Sequence, residues 1–259
     1  MIVAGIDIGS LSTDTVILDQ DKNMLSYSVI PTGANSKKAI DTSFEKAVDL
    51  AGIKREDISY VISTGYSRKR VEFATEQVTE ITCHARGVHF LHSGTRSIID
   101  IGGQDSKAIS INDRGKVMNF VMNDKCAAGT GRFLEVMARA MEIELEDMGD
   151  LSLRSTEAVS ISSMCTVFAE SEVISLIAEG KTVKDIINGI HQSISGRVLG
   201  FLDRVGVEEE IAMTGGVAKN TGVIKAIEER LGTSLYIPEE PQITGALGGA
   251  LIALEKITH

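Results

Sequence analysis

The sequence is poor in the residues that staple small secreted domains or build single-chain metal sites. Its 259 residues include three prolines and three cysteines, Cys83, Cys126 and Cys165, which are scattered along the chain. Three cysteines are too few for a disulfide framework. No pair has the Cys-x-x-Cys spacing, which argues against a single-chain zinc or ferredoxin motif. No linker stands out, because proline and glycine punctuation is light.

Long apolar runs and a surplus of positive charge are also missing. No run approaches the roughly 18 apolar residues that a membrane span needs. A strand-like run begins at Ile2 and leaves no room for a signal peptide. The formal net charge is −10, with acidic and basic residues interspersed, which argues against binding to nucleic acid or an anionic membrane. We therefore expect a soluble cytoplasmic protein with no nucleic-acid or membrane partner.

The remaining composition is that of a folded globular protein. Hydrophobic residues make up 43% and charged residues 24% of the chain, and its length corresponds to one or two lobes. Helical periodicities lie between the strand-like runs, which predicts an α/β fold. The predicted strands are Ile2–Ile8, Thr15–Asp19, Leu25–Pro31, Tyr60–Thr64, Ser97–Ile101, Ala108–Asn112, Val117–Met122, Ile211–Thr214 and Ser234–Ile237.

An internal repeat refines this prediction. Residues 5–19 (GIDIGSLSTDTVILD) and 98–112 (IIDIGGQDSKAISIN) align without a gap, so that Asp7 matches Asp100 and Gly9 matches Gly102. Both copies read as strand, Asp-Ile-Gly turn, strand, which indicates two similar lobes facing each other. Chance similarity of two β-hairpins is the alternative. The aspartate at the strand end in both copies makes it the weaker one.

The two turns have the chemistry of a phosphate site. Glycine lets the backbone approach a phosphate closely, and the exposed N–H groups of such a turn form an anion-binding concavity. The first turn adds hydroxyl donors from Ser10, Ser12 and Thr13. Asp7 and Asp100 would face each other across a cleft, where carboxylates hold Mg²⁺, usually through water. In a third segment, MTGGVAKN at 213–220, Gly215 and Gly216 would let a nucleoside lie against bare backbone.

Two cysteine segments have a different character. Cys126 lies in MNDKCAAGTGRFLEVM and Cys165 in SISSMCTVFAESEVISL, each ahead of a helical pattern. Helix N-termini lower thiolate pKa values and stabilise anionic metal–sulfur species. Two thiolates are half the ligands of a cubane cluster, and a two-fold dimer would supply four. Two buried cysteines or a single zinc are the alternatives. Cys83 is expected to be a buried, apolar-like residue.

The three glycine motifs, in this order, resemble the phosphate-1, phosphate-2 and adenosine motifs of the superfamily that holds actin, Hsp70 chaperones and sugar kinases. This resemblance implies two ribonuclease-H-like lobes with ATP and Mg²⁺ between them. Residues 1–95 would form the first lobe and residues 96–244 the second, which carries the cysteines. The C-terminal helix, 245–259, would pack back on the first lobe.

The cysteine segments, with ISTGYSR at 62–68 and TEITCHARG at 79–87, resemble the activators of 2-hydroxyacyl-CoA dehydratases. That family includes the ATPase subunits of benzoyl-CoA reductases and the reductases of double-cubane cluster proteins, and the likeness runs over nearly the whole chain. It implies a homodimer that works under anaerobic conditions, with one 4Fe–4S cluster held by Cys126 and Cys165 of each subunit. A ferredoxin or flavodoxin would reduce the cluster. ATP hydrolysis would change the inter-subunit angle and send the electron to a partner iron–sulfur enzyme.

The motifs and the resemblance together define the expected site. Asp7 and Asp100 would position Mg²⁺–ATP, and Gln104 would orient the attacking water. The chain departs from the family at two positions, with Asp14 in place of lysine and Lys219 in place of glutamine. The expected nucleotide-binding residues are Gly9, Ser10, Leu11, Ser12, Thr13, Asp14, Gly102, Gly103, Gln104, Asp105, Gly215, Gly216, Lys219, Asn220 and Gln242.

Two other functions share the expected fold. A small-molecule kinase would use an aspartate as general base near the phosphate-2 turn, but 259 residues leave no obvious sugar-binding insertion. A non-redox, actin-like scaffold would explain the fold and the ATP site. Both alternatives leave the two cysteine segments without a function.

Overall fold

The computed structural model describes residues 1–162, 165–207 and 210–258. Its first sheet contains β1 (Ile2–Ile8), β2 (Ser12–Asp19), β3 (Met24–Pro31), β4 (Ile58–Thr64) and β5 (Glu76–Gln77). Their order is β3-β2-β1-β4-β5, with β1 to β3 antiparallel and β4 parallel to β1. Residues 3–8 of the central strand are all buried, as expected for a strand that helices cover on both faces.

The second sheet repeats this arrangement. It contains β6 (Ser97–Ile101), β7 (Ser106–Ile111), β8 (Val117–Asn123) and β9 (Ile211–Thr214), in the order β8-β7-β6-β9. Strands β6 to β8 are antiparallel, and β9 runs parallel to β6 as β4 does to β1. The gapless repeat in the sequence therefore corresponds to two equivalent hairpins, β1–β2 and β6–β7.

Helix α1 (Ser36–Ala51) covers one face of the first sheet. Asn35 begins it, because its side chain accepts a hydrogen bond from the Lys38 N–H at 3.1 Å, and Gly52 ends it in a left-handed conformation with φ of 66°. Its apolar stripe, which includes Phe44, packs into one cluster with Ile6 of β1.

Helices α2 (Glu80–Leu91) and α8 (Thr244–Thr258) lie between the two sheets. Ile81 and its neighbours on α2 pack against β6 and β7, while Cys83 packs with α8, whose other contacts are with β1 and β4. The two helices approach closely: a Cβ on Gly248 would come 1.8 Å from the Cys83 carbonyl oxygen. Only glycine permits that contact.

The other face of the second sheet carries the largest core. Side chains of β6, such as Ile99, pack there with Phe133, Ile190 and Ile227 of the covering helices. These helices are α3 (Gly131–Ala140), α4 (Met148–Ser152), α5 (Thr166–Ala178), α6 (Val183–Val205) and α7 (Thr221–Leu231).

Two details differ from the sequence prediction. The strand expected at Ser234–Ile237 is wrong: this segment forms a single bridge between Ala212 and Tyr236. The segment cannot extend its pairing, because the next residue, Pro238, has no N–H to donate. The short strand β5 was not predicted, since two residues carry no periodicity. Over the described ranges, no helix is both long and apolar enough to cross a bilayer.

Candidate functional site

A cavity of about 490 Å³ opens where the β1–β2 turn, the β6–β7 turn and the turn after β9 converge. It brings together both expected catalytic aspartates and every expected nucleotide-binding residue except Thr13. The expected residues in its wall are Asp7, Gly9, Ser10, Leu11, Ser12, Asp14, Asp100, Gly102, Gly103, Gln104, Asp105, Gly215, Gly216, Lys219, Asn220 and Gln242.

Thr13 corrects the prediction of three hydroxyl donors in the first turn. It is fully buried, and its hydroxyl shares a hydrogen bond with that of Thr32 at 2.9 Å. Side chains alternate between the two faces of a strand, so Thr13 lies on the face opposite Ser12. Thr13 therefore supports the hairpin from behind the cavity wall.

The two turns have the same backbone geometry. Gly9 donates its N–H to the Ser12 carbonyl at 2.9 Å, and Gly102 donates to the Asp105 carbonyl at 3.0 Å. These four positions are equivalent in the aligned repeat. The cavity is thus lined by two copies of one structural element.

Asp7 lies in a cradle of glycines. A Cβ on Gly65 would come 2.3 Å from Asp7 Oδ1, and one on Gly245 would come 1.9 Å from Asp7 Oδ2. Burial is the main cause that raises the pKa of Asp7 from 3.8 to about 6, with the positive charge of His84 acting in the opposite direction. The carboxylate is therefore poorly compensated inside the protein, and two glycines pack against its oxygens where any side chain would collide with them.

Asp100 has the opposite environment, although it is equally buried. Burial alone would raise its pKa, but the charges of His84 and Lys107 and the hydrogen bond from Thr214 hold it well below its ordinary value. Lys107 Nζ lies 2.9 Å from Oδ2, and the Thr214 hydroxyl donates to Oδ1 at 2.8 Å. Asp100 is therefore a fixed negative charge.

His84 of α2 lies between the two aspartates and was not predicted as a site residue. Its Nε2 is 3.7 Å from Asp7 Oδ2, its Nδ1 is 3.8 Å from Asp100 Oδ1, and Nδ1 shares a hydrogen bond with the Thr244 hydroxyl at 2.9 Å. The available signal was a polar residue on the buried face of α2, between Ile81 and Val88.

Lys107 of β7 was also missed. Its ammonium lies 2.5 Å from Asp105, 2.9 Å from Asp100 and 3.2 Å from Glu80 of α2. Burial would lower the pKa of Lys107, but the three carboxylates raise it well above its ordinary value. The lysine stays charged in the floor of the cavity.

Asp14 and Lys219, the two residues expected to depart from the family pattern, both line the cavity. Asp14 is buried, accepts a hydrogen bond from the Ser12 hydroxyl at 3.0 Å, and has no partner for its buried Oδ1. Burial and then the charge of Asp7 raise its pKa well above the ordinary value. Lys219 also lines the cavity and pairs with Glu240 at 2.9 Å.

The cavity is strongly acidic. Among its described lining residues, two lysines and His84 oppose eight carboxylates. A polyphosphate would be repelled by such a wall unless a metal cation accompanied it. Asp7 and Asp14 supply carboxyl groups to the cavity wall, and a hydrated divalent cation prefers carboxylate and water oxygens. The acidic side chains are Asp7, Asp14, Glu80, Asp100, Asp105, Asp124, Glu135 and Glu146.

The three cysteines differ sharply in exposure. Cys83 is fully buried, and burial raises the pKa of its thiol to about 12, so it stays protonated. Cys126 and Cys165 are both exposed, which is contrary to the alternative of two buried cysteines. Cys165 immediately precedes α5. Cys126 lies in the segment between β8 and α3, and its carbonyl accepts a hydrogen bond from the Asn123 side chain at 2.7 Å.

One chain does not assemble a complete metal site from these thiols. Within the part of the chain that the structure describes, no three His, Cys, Asp or Glu side chains are grouped as a metal would require. Exposed thiols at the start of a helix can nevertheless be shared with a second chain.

The chain is similar along its whole length to known proteins. A model of the BadF/BadG/BcrA/BcrD ATPase family matches residues 4–253. The activator of lactoyl-CoA dehydratase from Anaerotignum propionicum is 49% identical over 258 residues, which cover 98% of each chain.

Solved structures agree with these likenesses. Component A of (R)-2-hydroxyglutaryl-CoA dehydratase from Acidaminococcus fermentans is 43% identical with a TM-score of 0.97, and the match covers 100% of both chains. The activator of the 2-hydroxyisocaproyl-CoA dehydratase from Clostridium difficile, solved with bound ADPNP, is 44% identical with a TM-score of 0.95, covering 100% of this chain and 96% of that one.

A more distant likeness concerns the fold alone. A ROK hexokinase from Thermus thermophilus is 16% identical with a TM-score of 0.56, and the match covers 100% of this chain and 99% of that one. The two-lobed α/β fold of the actin and sugar-kinase type, predicted from the sequence, is confirmed by these matches. The division of the chain after residue 95 stays a prediction.

Proposed function

Because this chain belongs to the BadF/BadG/BcrA/BcrD ATPase family, we propose that it couples ATP hydrolysis in the cavity to low-potential electron transfer. Two copies of the chain would hold one 4Fe–4S cluster through Cys126 and Cys165 of each. The cluster supplies one-electron redox chemistry. A ferredoxin or flavodoxin is the donor, and an iron–sulfur enzyme of the 2-hydroxyacyl-CoA dehydratase or double-cubane type is the acceptor.

A pair of hydrogen bonds between the nucleotide turn and α3 is the observation that carries this proposal. The N–H of Gly131 donates to the Gly102 carbonyl at 2.9 Å, and that of Arg132 donates to the Gly103 carbonyl at 2.9 Å. The first residues of α3 are thus fixed to the β6–β7 turn. Cys126 lies in the segment that leads into this helix, so a shift of the turn on hydrolysis would reach it.

The same shift would reach the second cysteine through the core. Phe133 and Leu134 of α3 belong to one buried cluster with Ala169 and Val173 of α5, and Cys165 immediately precedes α5. Packed cores transmit displacements because they are dense and contain few voids. A nucleotide-dependent movement of α3 and α5 would change the surroundings of the cluster sulfurs, which are a known control on cluster potential.

The cavity supports the nucleotide half of the proposal. Gly215 and Gly216 lie in the cavity wall; Gly215 has φ of 83°, and a Cβ there would come 2.4 Å from the Ile101 carbonyl oxygen, so only glycine lets the backbone after β9 pack this closely against β6 beside the proposed nucleoside position. Asp7 and Asp100 would hold Mg²⁺ through water. Gln104 is exposed at the tip of the second turn, where its amide would orient the attacking water.

Iron and sulfide analysis of anaerobically purified protein tests the cluster. We expect about four iron atoms per two chains in the parent protein and loss of iron in Cys126→Ala and in Cys165→Ala. Cys83→Ala is the matched control, because its buried, protonated thiol should leave the iron content unchanged. Full iron content in either exposed-cysteine variant would remove that residue from the cluster. A kinase or a non-redox scaffold would contain no iron in any of the four proteins.

Sedimentation tests the bridging role. A ligand that binds only the assembled dimer stabilises it by mass action, so removal of the cluster by chelation should yield monomers at about micromolar concentration. Addition of ATP without the cluster should not restore the dimer. A cluster-free protein that stays dimeric at low concentration would mean that protein contacts hold the subunits. Rotation about the cluster would then lack its physical support.

A further inference from the structure

Lys107 makes three ion pairs in the floor of the cavity. Its side chain is 4% exposed, and its ammonium lies within 3.2 Å of Glu80, Asp100 and Asp105. An ammonium has three hydrogens to donate, so each has a carboxylate partner. Such complete pairing of the ammonium is unusual, because a lysine side chain is rarely buried to this extent.

The three partners come from two parts of the fold. Glu80 belongs to the first turn of α2, while Asp100 and Asp105 belong to the β6–β7 hairpin. Without the ammonium, the buried Asp100 would face the partly buried Glu80 and Asp105, and their negative charges would lack compensation. Lys107 therefore holds three carboxylate groups around one positive charge, and carboxylate oxygens are the ligand type that divalent cations prefer.

Asp7 and Asp14 are not neutralised in this way. Within the described residues, Lys107 pairs with neither Asp7 nor Asp14, and the buried Oδ1 of Asp14 has no partner. The side of the cavity floor at Asp100 thus contains its own cation, the Lys107 ammonium, whereas Lys107 pairs with neither carboxyl group on the side at Asp7 and Asp14.

We propose that the Lys107 ammonium occupies a cation position in the nucleotide-free cavity and holds Asp100 there until a divalent cation arrives with the nucleotide. The inference rests on the proposed hydrolysis of Mg²⁺–ATP and assigns Lys107 as a positioning residue. A free divalent cation therefore cannot occupy the position that the Lys107 ammonium already fills. The metal–nucleotide complex brings phosphate oxygens as additional ligands and can use the open side at Asp7.

Binding of Mn²⁺ to the nucleotide-free full-length protein, followed by electron paramagnetic resonance, tests this assignment. The parent protein should bind Mn²⁺ weakly up to about 1 mM, the weak end of protein cation sites. Lys107→Met removes the charge and keeps the side-chain length. It should bind one Mn²⁺ per chain at least about tenfold more tightly, a difference of about 1.4 kcal/mol.

Three further variants make the result specific. Lys107→Arg keeps a cation and should behave as the parent. The double variant Lys107→Met/Asp100→Asn should lose the gained site, which places the Mn²⁺ in the cavity. The pair Lys107→Met/Glu80→Gln removes one charge of each sign and is expected to fold and bind Mn²⁺ even where the single variant does not fold.

Two outcomes would overturn the proposal. Tight Mn²⁺ binding by the nucleotide-free parent that Asp100→Asn abolishes would show that Lys107 does not fill the position beside Asp100. No gain in Mn²⁺ affinity in folded Lys107→Met or in the Lys107→Met/Glu80→Gln pair would reduce Lys107 to a structural ion pair. Neither measurement depends on ATP turnover or on a cluster, so failure of the proposed function would be detected separately, by ATPase and iron assays on the parent protein.

Discussion

Asp7 and Asp100 occupy equivalent positions in two copies of one hairpin, with the same Asp-Ile-Gly sequence and the same hydrogen bond across the turn. Their surroundings differ. Asp100 accepts hydrogen bonds from Lys107 and Thr214, whereas Asp7 faces two glycines and the more distant ring of His84. Burial raises the pKa of Asp7 to about 6, and the neighbouring charges hold that of Asp100 well below its ordinary value.

The difference shows that a repeated backbone does not imply a repeated role. The neighbours of Asp100 supply a built-in cation, so this carboxylate is stable in the empty protein and anchors the β6–β7 hairpin. Asp7 has no such partner, so its negative charge is costly until a ligand cation compensates it. We infer that Asp100 keeps its charge and its position in the empty protein, and that Asp7 gains a compensating positive charge only when a metal binds.

Loss of the fixed charge should have the largest effect. Asp100→Asn removes the most buried of the three carboxylate partners of Lys107, and losing one side of a buried ion pair costs up to about 3–5 kcal/mol. ATPase activity should fall by roughly a hundredfold or more, as when a catalytic electrostatic contact is removed. Urea unfolding and steady-state ATPase assays measure the two effects. Parent-level turnover in this variant would remove Asp100 from the site.

Asp7→Asn should have the opposite effect on stability. The folded-state pKa of Asp7 is about 6 and its ordinary value is 3.8. Between these pH values the folded protein holds a proton that the unfolded chain has lost, so stability falls as pH rises through this window. Above pH 6 the full penalty is present, about 3 kcal/mol, and asparagine removes it.

The pH dependence is the control for this prediction. In protein free of metal and nucleotide, Asp7→Asn should be more stable than the parent near neutral pH, and the advantage should vanish below about pH 4. ATPase activity should be lost, because asparagine cannot supply the charge that we propose holds Mg²⁺. A variant that is less stable than the parent at neutral pH would contradict the assignment of Asp7 as an uncompensated carboxylate.

The sequence predicted the two aspartates and their turns better than it predicted the side chains that surround them. Both aspartates and both turns could be predicted, because the Asp-Ile-Gly repeat is local and glycine has few other reasons to recur there. The family and the two-lobed fold are confirmed as well. Glu80, His84 and Lys107 were missed, since their partners come from α2 and β7 and meet only after long-range packing.

Two predictions from the sequence were wrong for physical reasons. Thr13 was grouped with Ser10 and Ser12 by its hydroxyl, although strand alternation turns it to the opposite face. The segment Ser234–Ile237 has the composition of a strand, but Pro238 limits it to one bridge. The opposite charge environments of Asp7 and Asp100 could not be predicted at all, because they depend on how α2 and α8 are placed between the sheets.

The smallest expected effect concerns the close approach of Gly245 to Asp7. A Cβ on Gly245 would come 1.9 Å from Asp7 Oδ2, so Gly245→Ala should cost about 1–3 kcal/mol by overpacking and weaken Mg²⁺–ATP binding. Gly200→Ala is the matched control, because it also lies within a helix and a Cβ there would meet nothing within 4 Å; it should be neutral or stabilising by up to about 1 kcal/mol. Thermal unfolding of both variants, with and without Mg²⁺–ATP, makes the comparison. If Gly245→Ala behaved like Gly200→Ala in both conditions, the absence of a side chain at position 245 would be unnecessary for the role of Asp7. The contrast between Asp7 and the tightly paired Asp100 would then rest on charge alone.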